Sequence, residues 1–480
     1  MTIESFQNLI IGSGVGGKII AWTLAKQGQK TVTIERSMVG GACPNVACLP
    51  SKNVVYSAKT VSLVEPTTGL GVVTGSMGVD MHGVARRKRK MVEGLVQMHL
   101  DNFKASGVEL VMGEARFTEP KTVQVTLNAG GTRMLRGERV FISVGTHASI
   151  PDVPGLAAAA PMTHVEALNL ERLPGHLVIL GGGYVGLEFA QAMRRFGSRV
   201  TIIQHGPRLL TREDPDVQEA LLELMRDEGI EVLLQAELLN VTGRSGTNVT
   251  LRVRSGTGER KLEASDILVA TGRTPNTRTL DLDKTGVDLD SRGYIRVNER
   301  LQTSAPNVWA TGECAGSPQF THVGEDDCRV VLDNLAGGSR TTRGRLIPYC
   351  LFTDPELAHV GMTETEVRAK NLPYRIARMP MEMVLRTRTL SDTRGFMKAL
   401  IGADNRILGF TAFGAEASEL MAVAQTAMLG AMPYTALRDA IFTHPTAAEG
   451  MVGLFASPPS APAPTPAVSQ PGRALVGSSS

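Results

Sequence analysis

Two segments of this chain carry the same glycine-rich pattern in the same register, and that repetition constrains the fold more than any other feature. The first reads Leu9-Ile10-Ile11, then Gly12-Ser13-Gly14-Val15-Gly16-Gly17, an amphipathic stretch through Lys26, and Thr31-Val32-Thr33-Ile34-Glu35. Short β-branched runs predict strands and the stretch between them a helix, which together make a complete βαβ unit. Gly12 permits the tight turn, Gly14 lets a pyrophosphate approach the backbone, and Gly17 lets helix and strand pack closely. The helix N-terminus supplies positive potential for phosphate, and Glu35, ending the second strand, can accept both ribose hydroxyls. Strand, glycines, helix and acid in this order predict a dinucleotide site.

The pattern returns at Leu177-Val178-Ile179-Leu180-Gly181-Gly182-Gly183-Tyr184-Val185-Gly186, followed by Val200-Thr201-Ile202-Ile203-Gln204. Gly181, Gly183 and Gly186 take the three glycine roles, and Gly12 to Glu35 and Gly181 to Gln204 both span 23 positions. Two nucleotide sites in one polypeptide imply a relay between two redox rings, which points to FAD and NAD(P)H. At the second site neutral Gln204 replaces the acid, with His205 and Arg208 close behind. Its neutrality removes the main bar to a 2′-phosphate, while Gly186 leans toward NADH, so the nucleotide is read as NAD(P)H.

Between these units lies Gly40-Gly41-Ala42-Cys43-Pro44-Asn45-Val46-Ala47-Cys48-Leu49-Pro50-Ser51-Lys52. In a regular helix, residues spaced like Cys43 and Cys48 have Cα atoms about 8 to 9 Å apart, beyond the roughly 7 Å limit for a disulfide. A bonded pair therefore needs an irregular turn, which Pro44 and Pro50 make plausible. No second CxxC or His/Cys cluster completes a metal site, so no metal is expected. The other three of the five cysteines, Cys314, Cys328 and Cys350, read as small buried apolar residues. So few thiols in 480 residues argue against a secreted disulfide framework.

The cysteine segment resembles the redox signature of the class I pyridine nucleotide-disulfide oxidoreductases, the family of dihydrolipoamide dehydrogenase, glutathione reductase and mercuric reductase. The resemblance runs through residues 5–455 and implies an α/β fold. It has two Rossmann-like dinucleotide-binding domains and a C-terminal α+β dimerisation domain. The implied division is 1–150 for the first part of the FAD domain, 151–275 for NAD(P), 276–345 for the second FAD part, and 346–455 for the interface domain. By resemblance Cys43 is the interchange thiol, Cys48 the charge-transfer thiol, Lys52 pairs with Glu188 near the flavin, and Tyr184 lids the nicotinamide. Gly41, Ala42 and Ala115 are implied flavin contacts, and the turns at Gly145 and at Gly272-Arg273 leave the two nucleotide domains. Glu313 stands where the family carries aspartate toward the ribityl chain. Ala42 and Ala47 replace threonine and glycine, which implies adjusted contacts rather than lost chemistry.

The interface domain implies a homodimer, with His444 as the base supplied across it and Glu449 orienting its ring. A small disulfide or dithiol is the leading substrate. Residues 318–329 resemble a mercuric-reductase-like branch, which makes metal-ion reduction the alternative. No cysteine follows Cys350 and no amino-terminal CxxC occurs, which lowers the expectation of mercury handling. A flavin-containing redox sensor is the competing reading from another class, and an intact acid/base pair argues against it.

No apolar run approaches the roughly 20 residues of a membrane span, and a net charge of +3 gives no case for nucleic acid. The run Arg86-Arg87-Lys88-Arg89-Lys90 reads as a solvated helix face. A strand-like segment beginning almost at once argues against a secretory signal, so the expected location is cytoplasmic. The Pro/Ser/Ala-rich stretch 456–480 is predicted to be a mobile tail.

Overall fold

The computed structural model describes residues 2–64, 70–72, 75, 78–256 and 258–461. They form two compact units, divided between Asp354 and Pro355. The predicted tail lies outside the described residues from 462 onward. The residues just before it are placed: Ala456 closes the helix Gly450–Ala456, and Ser460 bridges Ile376.

In the first unit, the strand Ile3–Ile11 lies between Thr31–Glu35 and Thr132–Ile142, parallel to both. The sheet extends through Glu109–Glu119 beside Thr31–Glu35 and through Val308–Ala310 beside Thr132–Ile142. Thr122–Leu127 pairs antiparallel with both Glu109–Glu119 and Thr132–Ile142. The first strand is longer than its apolar core predicts, because its polar half, from Ile3 to Phe6, pairs with residues Met134 to Gly137. Every residue of Thr31–Glu35 is buried, as it must be when neighbours and helices cover both faces of a parallel strand.

The second glycine-rich unit builds a separate parallel sheet in the order Asp266–Val269, His176–Leu180, Arg199–Ile203, Glu231–Leu233. A three-stranded antiparallel sheet, Glu237–Arg244, Asn248–Ser255 and Gly258–Ala264, accompanies it. The helix Cys48–Val64 packs on Tyr184–Phe196, and Val15–Lys26 packs on Thr321–Leu335. These two contacts bring the cysteine segment, both glycine turns and the 321–335 helix into one region.

The second unit contains antiparallel strands in the order Glu356–Gly361, Ile407–Gly414, Phe396–Gly402, Tyr374–Pro380. The helix Ala417–Leu429 covers the first two of these strands.

The basic run is solvated at Arg86, Arg87, Arg89 and Lys90 and departs from the expected solvated face at Lys88. It lies in the helix Met81–Ser106, but Lys88 is buried and its Nζ donates to Asn169 Oδ1 at 2.6 Å. Arg87 reaches the carbonyl of Asn53 at 2.7 Å, and Arg89 pairs with Glu171. Three of the five cations thus tie the helix to its neighbours, which charge patterning alone cannot distinguish from solvation.

One buried carboxylate fixes the loop after Val308–Ala310. Asp327 accepts from Gly312 N at 2.7 Å, Ser317 Oγ at 2.8 Å and Arg345 Nη1 at 2.7 Å. Asp327→Ala would leave Arg345 paired with Asp326 alone and free the Gly312 turn, so it should destabilise the protein by roughly 2 kcal/mol. Thermal or denaturant unfolding checks this.

Candidate active site

Both glycine turns have the shape that their residue types demand. Gly12 and Gly181 have φ of +98° and +106°, and a Cβ there would stand 2.4 Å from Ser143 O and 2.5 Å from Ala270 O respectively. At Gly17 and Gly186 a Cβ would meet the carbonyl oxygens of Gly12 and Gly181 at 2.0 and 2.1 Å. Gly14 and Gly183 differ: a Cβ on Gly14 would find its nearest atom at 3.8 Å, and one on Gly183 would find none within 4 Å. Each turn is therefore packed tight on its protein side and open at its middle glycine, the geometry that a dinucleotide pyrophosphate needs. Gly41 packs against the first turn, where its Cβ would lie 2.4 Å from Gly14 Cα. Neighbouring Ala42 opens the short helix Ala42–Val46.

Glu35 is buried and accepts from Ser13 N at 2.9 Å, Ser13 Oγ at 2.6 Å, Ser37 N at 2.8 Å and Met38 N at 3.0 Å. At the second turn Gln204 Oε1 accepts from Gly182 N at 2.8 Å, while its Nε2 donates to Arg208 O at 3.2 Å. The neutral amide thus braces its turn as the carboxylate braces the first.

The two domain-exit turns are joined. Arg273–Pro275 pairs antiparallel with Thr146–Ala148, next to Gly145 and Gly272. Arg273 Nε donates to Thr146 Oγ1 at 2.6 Å and to Glu313 Oε2 at 3.1 Å, and Thr146 also donates to Glu313. The longer side chain of Glu313 is accommodated by this threonine and arginine. Ala115 is placed otherwise: it pairs with Val125 and its side chain is buried in the hydrophobic core, so only its backbone can serve a ligand.

The cysteine segment is two helices, not one. Ala42–Val46 ends, Ala47 adopts φ −132° and ψ −108°, and Cys48–Val64 begins. The interruption falls at Ala47 rather than at Pro44 or Pro50. Pro44 lies in the first turn of its helix and Pro50 in the first turn of the next, where amide hydrogens have no intrahelical acceptor. The break brings the free thiols of Cys43 and Cys48 near enough for each to shift the other's ionisation. A hydrogen bond from Cys43 lowers the Cys48 thiol to about 6, with Thr321 and the Lys52 charge helping. The same bond, together with burial, pushes Cys43 up. Cys48 is therefore the thiolate of the reduced pair and Cys43 the thiol.

Lys52 Nζ donates to both oxygens of Glu188, at 2.8 and 2.7 Å, and lies 4.7 Å from the Phe352 ring centroid. Glu188, nearly buried, also accepts from Phe352 N at 3.0 Å. One helical turn after Cys48, this pair links the cysteine helix to the second nucleotide unit. Tyr184 donates from its hydroxyl to Glu213 at 3.0 Å, and burial together with that carboxylate pushes its phenol up, so it stays neutral.

In the second unit, His444 Nδ1 lies 2.9 Å from Glu449 Oε2 while the His444 side chain is 66% exposed. A carboxylate only accepts, so Nδ1 carries a proton and the rest of the ring is open to solvent. Sequence reasoning had missed Thr321, whose Oγ1 lies 3.3 Å from Cys48 Sγ, and Glu213 behind Tyr184. Thr321 opens the helix Thr321–Leu335, 273 positions from Cys48, and carries no local signature of its contact.

Residues 6–327 match the family described as pyridine nucleotide-disulphide oxidoreductase, and residues 347–454 match the dimerisation domain of the same family. The chain belongs to the class I pyridine nucleotide-disulfide oxidoreductases. A relative from Escherichia coli strain K12, the probable pyridine nucleotide-disulfide oxidoreductase RclA, is 34% identical over 94% of this chain and 99% of its own. The mercuric reductase of Acidithiobacillus ferrooxidans is 33% identical over 92% of this chain and 80% of its own. The dihydrolipoamide dehydrogenase of Chaetomium thermophilum is 30% identical over 92% and 88%. Among solved structures, the Cu(II) complex of the HOCl-induced flavoprotein disulfide reductase RclA from Escherichia coli superposes with a TM-score of 0.86. It is 33% identical and covers 94% of this chain and 99% of that one. Like its family, this chain is a flavoprotein oxidoreductase that uses a pyridine nucleotide.

Three outcomes follow from the geometry. Gly14→Ala should fold with nearly unchanged melting yet retain less flavin, whereas Gly17→Ala should cost about 1–3 kcal/mol through overpacking; flavin absorbance and melting of each purified variant compare them. Lys52→Met leaves Glu188 without its cation, but Lys52 is one-third exposed, so the loss should be about 2 kcal/mol, below that of a fully buried pair, read by denaturant unfolding. Because the Cys48 value is depressed, its thiolate is present above about pH 6 and lost as pH falls through it. Ultraviolet thiolate absorbance of the reduced protein should follow that midpoint.

Proposed function

We propose that this enzyme passes two electrons from NAD(P)H through FAD to the Cys43–Cys48 disulfide and on to a small disulfide substrate. The observation that carries this reading is the broken helix at Ala47, which brings the two thiols near each other with opposite shifts in proton affinity. The turns at Gly12, Gly14 and Gly17, with Glu35, Gly41, Ala42, the Ala115 backbone, Gly145 and Glu313, would hold FAD. Those at Gly181, Gly183 and Gly186, with Tyr184, Gln204, Gly272 and Arg273, would hold NAD(P)H. Residues 1–150 with 276–345, 151–275, and 346–455 serve as FAD, NAD(P) and interface domains of a cytoplasmic homodimer.

Flavin held there would supply the two electrons that open the protein disulfide. The chain's own groups do the rest. Cys48, one turn from Lys52, remains as the stabilised thiolate. Cys43 loses its proton to Nε2 of the partner subunit's His444, attacks one sulfur of the substrate and releases the other as a thiolate, which His444 reprotonates. The Cys48 thiolate then attacks Cys43 of the mixed disulfide, expels the second substrate sulfur as a thiolate that takes a proton from solvent, and closes the Cys43–Cys48 bond. Glu449 keeps the imidazole tautomer that this exchange needs.

Reduction of a metal ion is the second reading. It is favoured by the likeness to RclA, solved as a Cu(II) complex, and to mercuric reductases.

An acceptor panel tests both readings. Oxidised dithiols and Cu(II) are supplied with NADH or NADPH, and nucleotide oxidation is followed for the wild type, Cys43→Ser and His444→Gln. Turnover of a disulfide that falls at least a hundredfold in both variants supports the main reading. Turnover with Cu(II) alone moves the assignment to the metal. A purified protein that binds no flavin overturns both.

A further inference from the structure

Beneath the turn that leads into the cysteine pair lies a buried cation with no carboxylate. Lys18, in the first helix, is 8% exposed, and His99, in the helix Met81–Ser106, is 6% exposed. Lys18 Nζ lies 2.5 Å from His99 Nε2 and donates to Gly40 O at 3.4 Å. His99 Nδ1 lies 2.5 Å from Leu95 O, which only accepts, so Nδ1 holds the ring proton and Nε2 receives one from Lys18. The imidazole is therefore neutral and the positive charge resides on Lys18. The ring lies directly under the turn: a Cβ on Gly40 would meet His99 Cγ at 3.2 Å and Pro44 Cγ at 3.0 Å. Trp22 closes the far side, its ring centroid 5.9 Å from Lys18 Nζ and 5.9 Å from that of His99.

Among the described residues Lys18 forms no ion pair, although burying an ammonium without an anion is costly. Burial lowers the Lys18 pKa, and two sulfurs, Cys43 and Cys328, act against that by favouring its charged form. Cys328 is held as a thiol, because it is fully buried and donates to Gly16 O and Gly324 O, both at 3.2 Å. Cys43 is the one that must become an anion in disulfide exchange. The Lys52 charge nearby is already neutralised by Glu188.

We propose that Lys18, held under the Gly40-Gly41 turn by His99, is the uncompensated charge that stabilises the Cys43 thiolate and the reduced form of the cysteine pair. It is a positioning residue acting through Cys43, and the inference rests on the disulfide-reductase reading above. Reduction breaks the Cys43–Cys48 bond, takes the hydride equivalent of one NAD(P)H, and leaves one thiol and one thiolate. Passing the remaining proton to His444 of the partner subunit makes Cys43 the anion, and a fixed cation favours that state.

The test reads the thiols rather than turnover. In a Cys48→Ser background, the pH profile of iodoacetamide alkylation at Cys43 is measured with and without Lys18→Met. The midpoint should rise by about one pH unit, a reaction about tenfold slower at a fixed pH below it. In protein with both cysteines, equilibration with dithiothreitol buffers at a pH high enough to ionise Cys43 in the reduced pair should shift about tenfold toward the disulfide, or about 30 mV for this two-electron couple. Lys18→Arg, which keeps the charge, should restore both readings. Should Lys18→Met fail to fold, His99→Leu removes the acceptor that holds the ammonium and should move both in the same direction.

Folded Lys18→Met with an unchanged profile and an unchanged equilibrium overturns the inference. Lost flavin with unchanged thiol chemistry does so too, by assigning Lys18 to cofactor retention. Wild-type protein that forms no Cys43–Cys48 disulfide would sink the underlying reading together with this one, so the two failures are distinguishable.

Discussion

The interruption of helical geometry at Ala47 is the constraint on which the active site depends. Two thiols five positions apart on a continuous helix point in different directions and stand too far apart to bond. A single residue outside helical φ/ψ turns the second helix enough for Cys48 to approach Cys43, and the prolines fit because each occupies a first turn, where no amide hydrogen is required. Two neighbouring thiols cannot both ionise easily, and the proton settles on Cys43. The difference in character between them is a consequence of proximity rather than of residue type.

That proximity is useful only if the pair is held against the nucleotide-binding framework. The helix Cys48–Val64 packs on Tyr184–Phe196, and the Lys52–Glu188 pair pins the packing one turn beyond Cys48. Thr321 approaches Cys48 from the helix that also packs on Val15–Lys26. The sulfurs are thus gripped by both glycine-rich units. In the second unit, His444 is oriented by Glu449 and remains open to solvent.

Buried polar groups recur around this framework, and each has a positional role. Asp327 holds the Gly312 turn, Glu35 and Gln204 brace the two glycine turns, and Glu213 fixes Tyr184. Each is satisfied by specific donors, so each position specifies a backbone conformation as well as a charge. Lys18 differs because its contacts include no anion.

The parallel units, their helices and the cysteine segment could be read from residue order, because each depends on local patterning: apolar runs of strand length, glycines where a side chain would collide, and thiols at a spacing that forbids a regular helix. The repeated interval of 23 residues made the second nucleotide unit legible even without its acid. Residues that act across the fold carried no comparable signal. Thr321 meets Cys48 from 273 positions away, Lys88 is buried within a run that reads as solvated, and Lys18 meets His99 across 81 residues. Which residue breaks the helix, which thiol keeps the proton and which cation lacks an anion were decided by the tertiary structure, because hydrogen bonding and dielectric screening act through distance in space and are indifferent to distance along the chain.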